Sequence, residues 1–244
     1  MAAFDRLSEE LRRRIVRAAG TPFVVGVAGG VAAGKSTFAS ALADAAAAWP
    51  DAPQVVSIAT DGFLFPNAVL AERGLALRKG FPESYDIAAL RAALSGLKSG
   101  ARVALPRYSH VTYDVEPNDA LAVERPDLLV LDGLHLAQVE RDGGPRLIDF
   151  LIYLDAEEAH IESWFAGRLL PLMEAGRDDP NSFYFRFRDF DDAARRDFAA
   201  RVWQGINLPN LREHIVKDRD AADAIVRKRA DHAIADVVLR TRDA

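Results

Sequence analysis

Residues Gly29-Gly30-Val31-Ala32-Ala33-Gly34-Lys35-Ser36 constrain this chain more than any other stretch. They satisfy the pattern G-x-x-x-x-G-K-[ST] without deviation. An apolar run, residues 23–28, precedes them and reads as a buried strand. A run of good helix formers, residues 37–43, follows. Strand, glycine loop and helix together make a phosphate cradle. Glycine lets the backbone close around phosphate oxygens where a Cβ would clash. The exposed N–H groups and the helix N-terminus then face the anion. Gly29, Gly30, Val31, Ala32, Ala33, Gly34, Lys35, Ser36 and Thr37 form the expected phosphate-binding set. Lys35 is expected on the β- and γ-phosphates and the Ser36 hydroxyl on Mg²⁺.

The rest of the composition narrows the setting. The 244 residues contain no cysteine, which excludes disulfides and thiolate metal sites and fits a reducing cytoplasm. The first residues are charged from Asp5 and Arg6 and lack an apolar core, so no signal peptide is expected. The most apolar region is interrupted by Lys35, and no membrane span is expected. A net charge of -5 gives no electrostatic case for nucleic acid as a partner.

Along the chain, Phe4, Leu7, Leu11, Ile15 and Val16 recur at helical spacing, so residues 1–20 read as an amphipathic helix ended by Gly20-Thr21-Pro22. Residues 54–59 read as the second strand, which delivers Asp61 to its carboxyl end. A carboxylate there, beside a phosphate loop, is a candidate general base, and equally an ordinary turn aspartate before glycine. Residues 66–80 read as a helix and polar loop, and residues 87–97 as a helix stopped by Gly100. Residues 101–105 read as a strand entering a loop that carries Tyr108, His110 and Tyr113. Those three suit hydrogen bonding to a polar small molecule, or are ordinary half-buried residues. Residues 127–131 form an apolar strand ending in Asp132, a candidate Mg²⁺ ligand. Residues 150–155 read as a further strand, and 156–170 as a helix carrying Phe165 and Arg168 and ending at Pro171. Arginines beyond it, near a mobile-looking segment, suit charge stabilisation or a solvated face. A helix at 198–206, a charged helix at 220–229 and a final strand at 234–239 complete the reading. The alternation implies one α/β domain over 21–244, a doubly wound, mostly parallel sheet with a substrate and lid insertion.

A phosphate loop indicates a nucleotide, not a reaction. No N-K-x-D guanine reader is present, which argues against a GTP switch. A small-molecule kinase needs a base, a pocket and a lid, and each has candidates. Several longer stretches sharpen this. Thr60-Asp61-Gly62-Phe63, Glu72-Arg73-Gly74-Leu75, Lys79-Gly80-Phe81-Pro82-Glu83-Ser84-Tyr85-Asp86, Tyr108-Ser109-His110, Tyr113-Asp114, Ile206-Asn207 and Asp231-His232-Ala233 closely resemble the bacterial type I pantothenate kinases. The resemblance spans about residues 22–240.

The resemblance implies ATP-dependent phosphorylation of the primary hydroxyl of pantothenate, with Mg²⁺. It implies Asp61 as base, Lys35 on the phosphates and Arg168 supporting the transition state. It implies Tyr108, His110, Tyr113 and Asn207 in the pantothenate pocket, and a cytoplasmic homodimer. There are departures. Phe165 stands where the family has a pocket tyrosine. Ser40, Leu169, Leu172 and Arg177 replace residues associated with coenzyme A, which predicts weakened feedback. Asp132 stands where glutamate is usual, and only a short helix precedes the loop. A kinase of another small alcohol, and a nucleotide-binding regulator without catalysis, are the alternatives.

Overall fold

The apolar runs become the strands of one sheet. The computed structural model describes residues 3–17, 22–51, 53–140 and 145–240. The expected helix stop at Gly20-Thr21 lies outside the described residues. Five strands run parallel: β1 (Phe23–Gly29), β2 (Val55–Ala59), β5 (Leu128–Asp132), β6 (Phe150–Asp155) and β7 (Ala224–Lys228). An antiparallel edge strand, β8 (Ile234–Leu239), completes the order β2-β5-β1-β6-β7-β8. β1 and β5 are buried along their whole length, as strands covered on both faces must be. Val25, Val27, Val130 and Ile152 face one layer, and Val24, Leu129, Leu131 and Leu151 the other.

Helices α1 (Ala3–Arg17) and α2 (Lys35–Ala47) cover the first face. Leu7 and Leu11 from α1 and Phe38, Ala39, Leu42 and Ala46 from α2 are buried there. Helices α4 (Ile87–Lys98), α5 (Glu158–Ala175) and α6 (Asp192–Val202) pack on the other side, with the short α3 (Asn67–Glu72) near the rim. Asp86 caps α4 by accepting the Ala89 N–H at 2.8 Å.

β1 occupies the middle of the order, with β5 and β2 on one side and β6 on the other. The chain therefore reverses its winding at β1, and ligand crevices form outside the strand carboxyl ends at such a point. The register aligns those ends. Asp132 is the partner of Val27 on β1 and of Ala59 on β2.

Four expectations are corrected. The expected loop at 106–114 shrinks to a turn at 110–113, which carries His110 and Tyr113: β3 (Val103–Ser109) and β4 (Asp114–Val123) form an antiparallel ribbon around it, with an irregularity at Pro106/Arg107. Pro106, Pro117 and Asn118 hid it, because turn formers are tolerated in exposed ribbon edges. Second, α5 runs through Pro171 to Ala175, held by Trp164, Phe165, Leu169 and Met173 buried on both sides of the proline. Third, the helical run after α6 does not close at Asn207. It passes Pro209 through wide π-type turns, Trp203–Asn207 and Leu211–Ile215, and ends at Ala221. Such turns absorb a missing donor and cluster at functional sites. Fourth, the helix expected at 220–229 ends at Ala221, and a strand follows. Ala224, Ile225 and Val226 are buried as β7 beside β6. Asp223 fixes the start of that strand by accepting the Leu151 N–H at 2.8 Å and Arg146 Nη2 at 3.0 Å.

Candidate active site

The glycine loop takes the shape its sequence requires. Gly34 caps α2 at φ +83°, a conformation that favours glycine. Lys228 from β7 braces it, donating from Nζ to the Ala33 carbonyl at 2.7 Å. Lys35 is half-buried, and its Nζ donates to the carbonyls of Gly29 and Gly30 at 3.2 and 2.9 Å. Burial lowers its pKa, and the carboxylates of Asp61, Asp132 and Asp218 act against that shift. Ser36 Oγ donates to Asp132 Oδ2 at 2.8 Å. Burial raises the Asp132 pKa, with the Ser36 hydrogen bond and Lys35 opposing.

Asp61 lies in a 3₁₀ turn, Thr60–Phe63, directly after β2. The turn is pressed against β3: a Cβ on Gly62 would sit 2.1 Å from the Pro106 carbonyl oxygen. Tyr85 donates its hydroxyl to Asp61 Oδ1 at 3.4 Å. Burial, then the Asp61 charge, pushes the Tyr85 pKa well up, so this phenol stays a donor.

The ribbon supplies the facing wall. The Tyr108 ring lies 5.2 Å from His110 and 6.0 Å from Tyr113. Tyr113 continues onto Phe183 at 4.6 Å. Burial raises Tyr113 to about 12. Burial and the Arg168 charge hold His110 below its ordinary value, so it is neutral at pH 7.

Lys35, Ser36, Thr37, His110 and Arg168 line one cleft of about 930 Å³. Its far wall holds Trp164 stacked on His232, ring centroids 4.1 Å apart, together with Lys228 and Phe4. Trp164, Lys228 and His232 were not among the expected site residues. Helix α1, without a visible role in sequence, brings Phe4 to this rim. Asp61, Tyr108, Tyr113, Phe165 and Asn207 do not line this cleft, and neither does Asp132, which reaches it only through the Ser36 hydrogen bond. Phe165 is buried with its ring 6.1 Å from Trp203. Asn207 is buried, and its Nδ2 has no hydrogen-bond partner among the described residues.

This arrangement can hold a nucleotide by its phosphates and set a carboxylate beside them. The family model of the phosphoribulokinase/uridine kinase family matches residues 24–164. A pantothenate kinase from Agrobacterium fabrum is 47% identical over 230 residues, 90% of this chain and 71% of its own. One from Chelativorans sp. is 45% identical, over 90% of this chain and 72% of its own. Among solved structures, a kinase from Silicibacter sp. TM1040, assigned provisionally to a fructose transport system, shares the fold. It is 24% identical with a TM-score of 0.70, covering 91% of this chain and 96% of that one. From the loop, the sheet order and these relatives together, the chain belongs to the phosphoribulokinase/uridine kinase family and, within it, to the pantothenate kinases.

Proposed function

We propose that this chain transfers the γ-phosphoryl group of ATP to the primary hydroxyl of pantothenate, the first step towards coenzyme A. The pantothenate kinase relatives support the substrate. The observation that carries the reaction is geometric: Lys35 and Ser36 of the glycine loop line one cleft with His110 and Arg168, and Ser36 is hydrogen-bonded to Asp132. In this reading the hydroxyl oxygen attacks the γ-phosphorus and its proton passes to Asp61. The bond from that phosphorus to the bridging oxygen breaks, and ADP leaves. Lys35 and Arg168 offset charge on the transferring group. Neutral His110 offers hydrogen bonds rather than a charge.

Ser36 and Asp132 fit Mg²⁺, because a hydroxyl oxygen and a carboxylate oxygen, both hard donors, lie 2.8 Å apart and burial disfavours the bare Asp132 charge. Held by those two residues, Mg²⁺ would supply positive charge to offset that of the bound phosphates. Tyr108, His110, Tyr113, Phe165 and Asn207 form the acceptor pocket. The unpartnered Nδ2 of Asn207 suits a substrate oxygen. Phe165 brings no hydroxyl, so acceptors are held there by shape.

The test is ATP consumption with Mg²⁺ over pantothenate, pantetheine, uridine, ribulose 5-phosphate and sugars. Turnover with pantothenate is expected. Turnover confined to another alcohol would remove the substrate assignment, and ATP binding without any turnover would favour a regulator. Coenzyme A is expected to inhibit poorly, since Leu169, Leu172 and Arg177 replace the family's aromatic residues. Inhibition competitive with ATP at concentrations that inhibit relatives would overturn this.

Among the described residues no helix is long and apolar enough to cross a membrane. The same reading makes residues 21–244 one kinase domain, working as a homodimer in the cytoplasm. Sedimentation of the purified chain at the monomer mass alone would remove the dimer.

A further inference from the structure

We propose that Lys79 is a positioning residue for the acceptor: its ammonium clamps the turn between β3 and β4 and so sets the tyrosine wall beside Asp61. The acceptor's identity rests on the pantothenate reading; the clamp rests on geometry alone.

Lys79 follows the short 3₁₀ turn Ala76–Arg78 and reaches across to the ribbon. Its Nζ donates to Asn67 Oδ1 and to the Tyr113 carbonyl, both at 2.6 Å. Asn67 joins the same node, donating from Nδ2 to the Tyr113 carbonyl at 2.9 Å and from its backbone to Asp114 Oδ1 at 3.0 Å. Two donors therefore converge on one carbonyl. The residue that owns it is strained: Tyr113 has φ +55°, a conformation that a bulky side chain rarely adopts. Such a backbone persists only where its surroundings over-determine it. Lys79 also stands over the rings it orders, 5.0 Å from the Tyr108 centroid and 4.5 Å from that of Tyr113.

The charged and titratable groups facing the ammonium are Asp61, Asp114, Tyr108 and Tyr113. Burial pushes it down to about 8, with Asp114 and Asp61 opposing. It therefore loses charge just above neutrality. A lysine that merely stapled a loop would affect stability and leave the acceptor indifferent.

Lys79→Met and Lys79→Arg separate the two roles. Lys79→Met is expected to raise the KM for pantothenate by about tenfold or more, leaving that for ATP unchanged. It should also speed amide hydrogen exchange at residues 110–115 and not in β5. Lys79→Arg should restore most of both. In wild type the pantothenate KM should rise above pH 8, and the rise should vanish in Lys79→Met. An unchanged pantothenate KM, unchanged exchange at the turn, or equal rises in both KM values would overturn the proposal. If wild type does not phosphorylate pantothenate while exchange at the turn still rises in Lys79→Met, the substrate reading alone falls.

Discussion

Asp61→Asn is expected to lower kcat by about 10²–10⁴-fold, the contribution a positioned general base would make. Asparagine keeps the shape of the turn and can still accept the Tyr85 hydroxyl, but it cannot take a proton from the acceptor. The neighbouring machinery is untouched: Lys35 keeps its loop carbonyls and Ser36 keeps Asp132. The substitution also removes one of the carboxylates facing Lys35. Were that electrostatic loss the dominant effect, phosphate binding would change and the KM for ATP would move. A fall in kcat with an unmoved KM for ATP therefore assigns the effect to proton transfer. Unchanged turnover would remove Asp61 from the role of base.

Gly62→Ala is expected to lower kcat by about 10²-fold through position alone. The added Cβ would lie 2.1 Å from the Pro106 oxygen and 2.7 Å from the Pro106 carbonyl carbon. Both are backbone atoms of β3, so no side-chain rotation relieves the contact. Either the Asp61 turn retreats or the ribbon with Tyr108 does. Overpacking of this kind also costs about 1–3 kcal/mol of stability. Kinetics and thermal unfolding of the variant check both effects. Native kcat together with a native melting temperature would show that the turn is not held against the ribbon.

Much of the site was legible because its signals are local. The glycine loop, Asp61 two residues past β2 and Asp132 at the end of β5 each follow from a strand, its end and the chemistry of the residue there. Pro171 and Pro209 misled for the same local reason. A proline stops a helix unless packing on either side carries the helix through, and that packing comes from residues distant in sequence. The charges around 220–229 suggested a solvated helix, yet three apolar residues between them were enough to fill the slot beside β6. Lys79 stood in a stretch that carried the family resemblance, but nothing local said what it or Lys228 would hold. Their roles depend on which carbonyl the fold brings within reach.

The sequence by itself determined the phosphate cradle, the parallel α/β architecture and the kinase family, because each of those signals is written within one short stretch of neighbouring residues. Tertiary structure alone decided that Ala59, Val27 and Asp132 share a register. It also decided that a ribbon carries Tyr108 and holds His110 and Tyr113 in its turn, and that Lys79 grips the Tyr113 carbonyl. Those facts join residues tens of positions apart, and only burial of both sheet faces fixes the register that brings them together.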